Sequence, residues 1–192
     1  MRNAILKHTK RRLDWIKIMA DELQQDELEA AIKTAHENGL RIAAHAAEPA
    51  AGKAVAASID CIEHGYGLTD ETIELMAEKN TFYCLTIVCN LSPEYIADRE
   101  LRIAELDSVQ NPVVVEGRIL VSSVDKRSRR VALRQREILM KAVKAGVKIC
   151  AGSDSNPVGE IGLLEIEQFV FSGMTGMQAL IAGTLIFLAF TN

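Results

Sequence analysis

Hydrophobic positions along the chain fall into two alternating patterns. Short apolar runs at about 14–19, 41–45, 59–64, 81–88 and 147–152 carry β-branched and aromatic residues with little polar alternation, as strands buried on both faces do. Between them, apolar residues recur at helical spacing. Leu28, Ala31, Ile32 and Ala35 mark a helix over Gln24–Asn38 that Asn38-Gly39 stops, and further helices are expected over Ala51–Ser58, Thr69–Lys79, Asp125–Ala145, Ile161–Phe171 and Thr175–Phe190. Thr69 opens its helix without a strict capping box, because position 72 is threonine rather than Glu or Gln. Strand and helix in alternation imply an α/β fold with a parallel sheet. Five strands fall short of a (β/α)8 barrel, which needs eight and about 250 residues.

The segment 41–76 organises the rest. Its two strands, RIAAH and DCIEHG, each close on a histidine, His45 and His64, with an alanine-rich helix between them. Both imidazoles then lie at carboxyl ends of parallel strands, where α/β folds place their chemistry. Lys17 interrupts the first strand, and Asp154 follows the last in Gly152-Ser153-Asp154. One or two βα units separate each from the next, so Lys17, His45, His64 and Asp154 can point into one cup. Imidazole nitrogens and a carboxylate suit zinc. A buried lysine must find a partner or lose its charge. Glu63 is expected to face away from its neighbour His64 and to make a structural salt bridge. His36, near a helix carboxyl end, reads as structural, and Gly52-Lys53 lacks the remaining residues of a phosphate-binding loop.

Composition narrows the possibilities. With 192 residues, 48% hydrophobic and 25% charged, a single domain over 1–192 is expected. A net charge of -4 with no long basic run gives no reason to expect a nucleic-acid partner, and the apolar stretch 185–190 is too short to span a membrane. Cys61, Cys84, Cys89 and Cys150 show no CxxC spacing and read as reduced core residues of a cytoplasmic protein. Residues 1–12 read as a flexible tail with no signal peptide, and 90–123 as a polar insertion with a helix around Glu94–Leu106.

The motifs Ile16-Lys17, Ala44-His45-Ala46, Ile62-Glu63-His64-Gly65 and Gly152-Ser153-Asp154 together resemble the metal-dependent amidohydrolases, in their imidazolonepropionase-like and prolidase-like (Xaa-Pro dipeptidase) branch. The resemblance covers roughly 13–183. It implies a partial (β/α)8 barrel of strands four to eight, with the first three strands and the family's β-sandwich missing. It also implies metal ligation by Lys17, carboxylated by carbon dioxide, and by His45, His64 and Asp154, with Asp154 also shuttling a proton. Implied with these are one or two zinc ions and hydrolysis of a C–N bond in a dipeptide or cyclic amide by metal-activated hydroxide. The family's HxH pair occurs nowhere in the chain, so activity is expected to be impaired. The alternative is a non-catalytic remnant or interaction module. Exposed sheet edges also raise the possibility of a homo-oligomer.

Overall fold

A computed structural model describes residues 2–9, 13–91, 123–155 and 158–184. Five strands, β1 (Trp15–Met19), β2 (Arg41–Ala47), β3 (Cys61–Tyr66), β4 (Phe82–Leu85) and β5 (Lys148–Ala151), form one parallel sheet whose spatial order is the chain order. Among the described residues seven α-helices accompany them: α1 (Arg2–Thr9), α2 (Gln25–Glu37), α3 (Ala50–Ala56), α4 (Asp70–Glu78), α5 (Ser123–Ala145), α6 (Val158–Ser172) and α7 (Gly176–Gly183). Single 3-10 turns follow β1 (Ala20–Glu22) and β4 (Val88–Asn90).

Sequential order decides where the helices go. Parallel crossovers are right-handed, so strands added always in one direction send every crossover to the same face. Ile16, Ile18, Ile42, Ala44, Ile62 and Leu85 project there and are buried in one core that takes in Leu28, Ile73, Ile138 and Phe169 from the helices. Each such branched or aromatic side chain contributes roughly 1.5–3 kcal/mol by leaving water. The other face carries the alternate residues. Its upper rung reads Met19, His45, Glu63, Cys84 and Cys150 across the five strands, and the rung below reads Lys17, Ala43, Cys61, Phe82 and Lys148.

Several expectations need correction at the element ends. Residues 1–12 are not simply a tail: Arg2–Thr9 is helical, with Ile5 buried in the main core. The run 81–88 is not all strand. It ends at Leu85, and Ile87 and Val88 are apolar because the core surrounds them, not because they continue the ladder. The last helix is described to Gly183, and the helix expected over Glu94–Leu106, with almost all of the 90–123 insertion, lies outside the described residues. Among the described residues no helix is long and apolar enough to cross a membrane.

The backbone that leaves β4 is caught by a buried acid. Glu165, from α6, accepts the N–H of Ile87 at 2.7 Å and of Val88 at 2.8 Å through its two oxygens. Burial pushes its carboxyl up to about 8, with those two N–H groups pulling the other way. A raised folded-state value means the fold prefers the protonated acid. This contribution is therefore full below the unfolded value near 4.5, declines as pH rises, and is lost above about 8. The urea midpoint is expected to fall with pH across that window and to flatten in Glu165→Gln; parallel pH profiles for the two proteins would refute the assignment.

Candidate metal centre at the carboxyl ends of the strands

The site is built on a backbone irregularity. His64 and Gly65 both have left-handed φ, +65° and +60°. Strand alternation alone would aim His64 at the helices, beside Ile62. The left-handed turn re-aims it, so its ring lies 4.4 Å from that of His45 on the neighbouring strand. Left-handed backbone costs a non-glycine residue roughly 1–2 kcal/mol and persists only where neighbours hold it. They do: the Tyr83 hydroxyl donates to His64 O at 3.0 Å, and Gln135 Nε2 donates to the same carbonyl at 3.2 Å. Asp154 is also left-handed, at +48°. Two of the four non-glycine residues of positive φ among the described residues are thus at this site.

Around the two imidazoles the geometry is close. His64 is 3% exposed; its Nδ1 bonds Thr86 Oγ1 at 2.6 Å, and its Nε2 stands 3.9 Å from Asp154 Oδ2. Tyr66 stacks on it, 5.5 Å between centroids and 8° between planes. His45 Nε2 lies 3.5 Å from Asp21 Oδ2, while Asp21 Oδ1 accepts the Ala47 N–H at 2.9 Å and so ties the end of β2 to the turn after β1. Burial lowers the His64 value to about 4, helped by its neighbours His45 and Lys17 and opposed by Asp154 and Asp21. At neutral pH His64 therefore offers an uncharged ring nitrogen, the form that binds metal.

Lys17 is placed differently from the other three. It is half exposed, on the face that carries no crossover helix among the described residues, and paired with Glu63. The salt bridge expected of Glu63 is thus made, and its partner is a residue assigned to the metal. Opposition of Glu63 and His64 is what strand alternation predicts, but the left-handed turn cancels it and brings His64 to the face that Glu63 shares with His45. His36 bonds Asp60 Oδ2 at 2.8 Å, a structural contact.

One cysteine whose spacing marks it as a reduced core residue also stands at the site. Cys89, in the turn after β4, contributes a sulfur to a group in which ligand atoms of His64, Cys89 and Asp154 lie within 4.8 Å of one another. Burial raises its thiol value, so the side chain is a neutral thiol as it stands. The signal was available: Cys89 follows an apolar run as His45 and His64 end theirs. All four cysteines are free.

The sequence pattern of the amidohydrolase family matches residues 5–188. The chain belongs to the amidohydrolase family. An uncharacterized protein of Mycobacterium tuberculosis (strain ATCC 25618 / H37Rv) is 31% identical over 191 residues, covering 92% of this chain and 47% of that protein. This amidohydrolase chain thus spans about half the length of the curated relatives it matches. Among solved structures, a Xaa-Pro dipeptidase with bound methionine superposes with a TM-score of 0.74 at 23% identity, over 99% of this chain and 46% of that one. A prolidase complexed with N-methylphosphonate-L-proline gives 0.73 at 22%, over 100% and 46%. Ochratoxinase from A. niger gives 0.71 at 22%, over 96% and 41%. At such identities these structures share the fold of this amidohydrolase and carry nothing further by themselves.

Proposed function

We propose that the chain forms part of a metal-dependent amidohydrolase that hydrolyses a C–N bond in a dipeptide or cyclic amide. Its five strands would be strands four to eight of a (β/α)8 barrel. Sequential parallel order with the helices on one face supports this, because a barrel is such a sheet closed on itself. The observation that carries the proposal is that His64, at one end of the sheet, has the His45 ring 4.4 Å away and Asp154 Oδ2 3.9 Å from its Nε2.

The donor set fits a divalent ion. His64 is held neutral with Nε2 turned toward a carboxylate, and Asp154 is exposed enough to reach an ion and solvent together. His45, His64 and Asp154 would hold the ion, zinc by preference. Bound there, a divalent ion supplies Lewis-acid polarisation of a carbonyl and lowers the pKa of water. The chain's own groups do the rest. Asp154 takes a proton from the attacking water and returns it to the leaving nitrogen. Thr86 holds the His64 ring through Nδ1, and Asp21 steadies His45, the kind of support that orients a ligand. Lys17 would join as a ligand only after carboxylation. A carboxylated Lys17 beside Glu63 sets two anions together, which a cation between them would stabilise.

The purified chain, dialysed against zinc, is expected to retain ion in stoichiometric amount by elemental analysis. It is expected to cleave Xaa-Pro dipeptides slowly, because no HxH pair is present to complete a second metal site. Asp154→Asn should abolish that turnover and weaken zinc retention, since it removes both a ligand and the proton carrier. Absence of bound zinc would overturn the proposal in favour of a non-catalytic remnant.

A further inference from the structure

We propose that Cys89 is a thiolate ligand of the ion held by His64 and Asp154, making this a mixed nitrogen, sulfur and oxygen site selective for zinc-like cations over magnesium; this rests on the metal reading above. The three donor atoms come from the end of β3, the turn after β4 and the loop after β5, and they converge to within 4.8 Å of one another. Donors placed 2.0–2.3 Å from one tetrahedral ion lie about 3.5 Å apart. The His64 Nε2 to Asp154 Oδ2 distance of 3.9 Å is close to that spacing and too long for a hydrogen bond between them.

The surroundings of Cys89 are those of a ligand rather than of a packing residue. Cys61, by contrast, sits in a cluster with Ala43 and Cys150, against Trp15 and Phe82. Cys89 Sγ faces polar groups: it donates to Thr86 O at 2.9 Å, receives a hydrogen bond from Asn90 Nδ2 at 3.4 Å, and lies 3.9 Å from the Tyr66 hydroxyl. Asn90 is itself anchored, giving another Nδ2 hydrogen bond to Gln135 Oε1 at 2.9 Å. Gln135 also holds the His64 carbonyl, so one buried side chain positions both the imidazole and the group that would steady a thiolate. On binding, the Cys89 S–H bond breaks and its hydrogen bond to Thr86 O is lost, the proton passes to solvent, and the Sγ electron pair goes to the ion. A thiolate in the set disfavours magnesium, which prefers all-oxygen octahedra.

Cobalt(II) supplies a readout independent of turnover. The metal-free full chain, titrated with cobalt, is expected to develop visible ligand-field bands together with a near-ultraviolet thiolate-to-cobalt charge-transfer band. Cys89→Ser should lose the charge-transfer band and keep visible bands, whereas Cys84→Ser should keep both. In the unsubstituted chain, saturating zinc should protect Cys89 from iodoacetamide, read by peptide mass. Visible bands without charge transfer, a charge-transfer band that survives in Cys89→Ser, or equal alkylation with and without zinc would each overturn the Cys89 assignment and leave the metal reading standing. No bound cobalt at all would overturn both. If Cys89→Ser fails to fold, alkylation of the unsubstituted chain decides.

Discussion

His64→Ala is expected to lose its stoichiometric zinc, with affinity falling by more than about 100-fold. Removing a group that only supports a ligand costs 10–100-fold, and His64 is proposed as a ligand itself. The loss corresponds to at least about 2.7 kcal/mol. A buried ring also packs, so the alanine leaves a space beside Tyr66 and Thr86 that could unsettle the fold. His64→Asn separates the two effects, since asparagine tolerates the left-handed backbone at this position. Native circular dichroism with zinc lost in the asparagine variant supports a ligand role. Undiminished zinc in both folded variants would remove His64 from the centre.

Gly65→Ala should be the most damaging single methyl in the described chain. Two costs combine. Left-handed φ with a Cβ costs roughly 1–2 kcal/mol. The new carbon would also stand 2.6 Å from Tyr83 Cε2 and 2.8 Å from its hydroxyl, inside contact distance, against a ring that is fully buried. Tyr83 must then move, and its hydroxyl, displaced from the His64 carbonyl, loses a buried hydrogen bond worth about 1–3 kcal/mol to leave unmade. A destabilisation of about 2–5 kcal/mol follows, a large part of what a domain of this size possesses. Gly67→Ala is the matched control, with φ +74° and nothing within 4 Å of the added carbon, and should cost only the backbone term. Indistinguishable urea midpoints for the two variants would refute this account of the turn.

Much of this could be read from the residues in order, and what could not has definite causes. The apolar runs ending at His45 and His64 marked β2 and β3 because strands covered on both faces need unbroken apolar sequence. Asp154 fell at the same end because each crossover returns the chain in the same direction. The direction of His64 was not legible: alternation is a rule for extended backbone, and nothing in Ile62-Glu63-His64-Gly65 announces two left-handed residues except the glycine. The end of β4 was hidden for a related reason. Thr86, Ile87 and Val88 look like strand, but the N–H groups of the last two go to Glu165, a residue 77 positions or more away in the chain. Cys89 was missed because a cysteine beside an apolar run is more often packing than ligand. The pairing of Lys17 depended on which residue of β3 reaches across β2, a matter of register that spacing alone does not fix.

Spatial order that copies chain order also governs how the site comes into being. Each of the first three strand pairings closes over a single short crossover, so β1 to β4 can zip together one after another as the polypeptide emerges, at little entropic cost per step. The final pairing must wait for everything between Leu85 and Lys148. The two histidines are therefore brought side by side early, and the aspartate arrives last. Until it does, a nascent chain would present only an incomplete grip on the proposed ion, and loading would be coupled to that last closure.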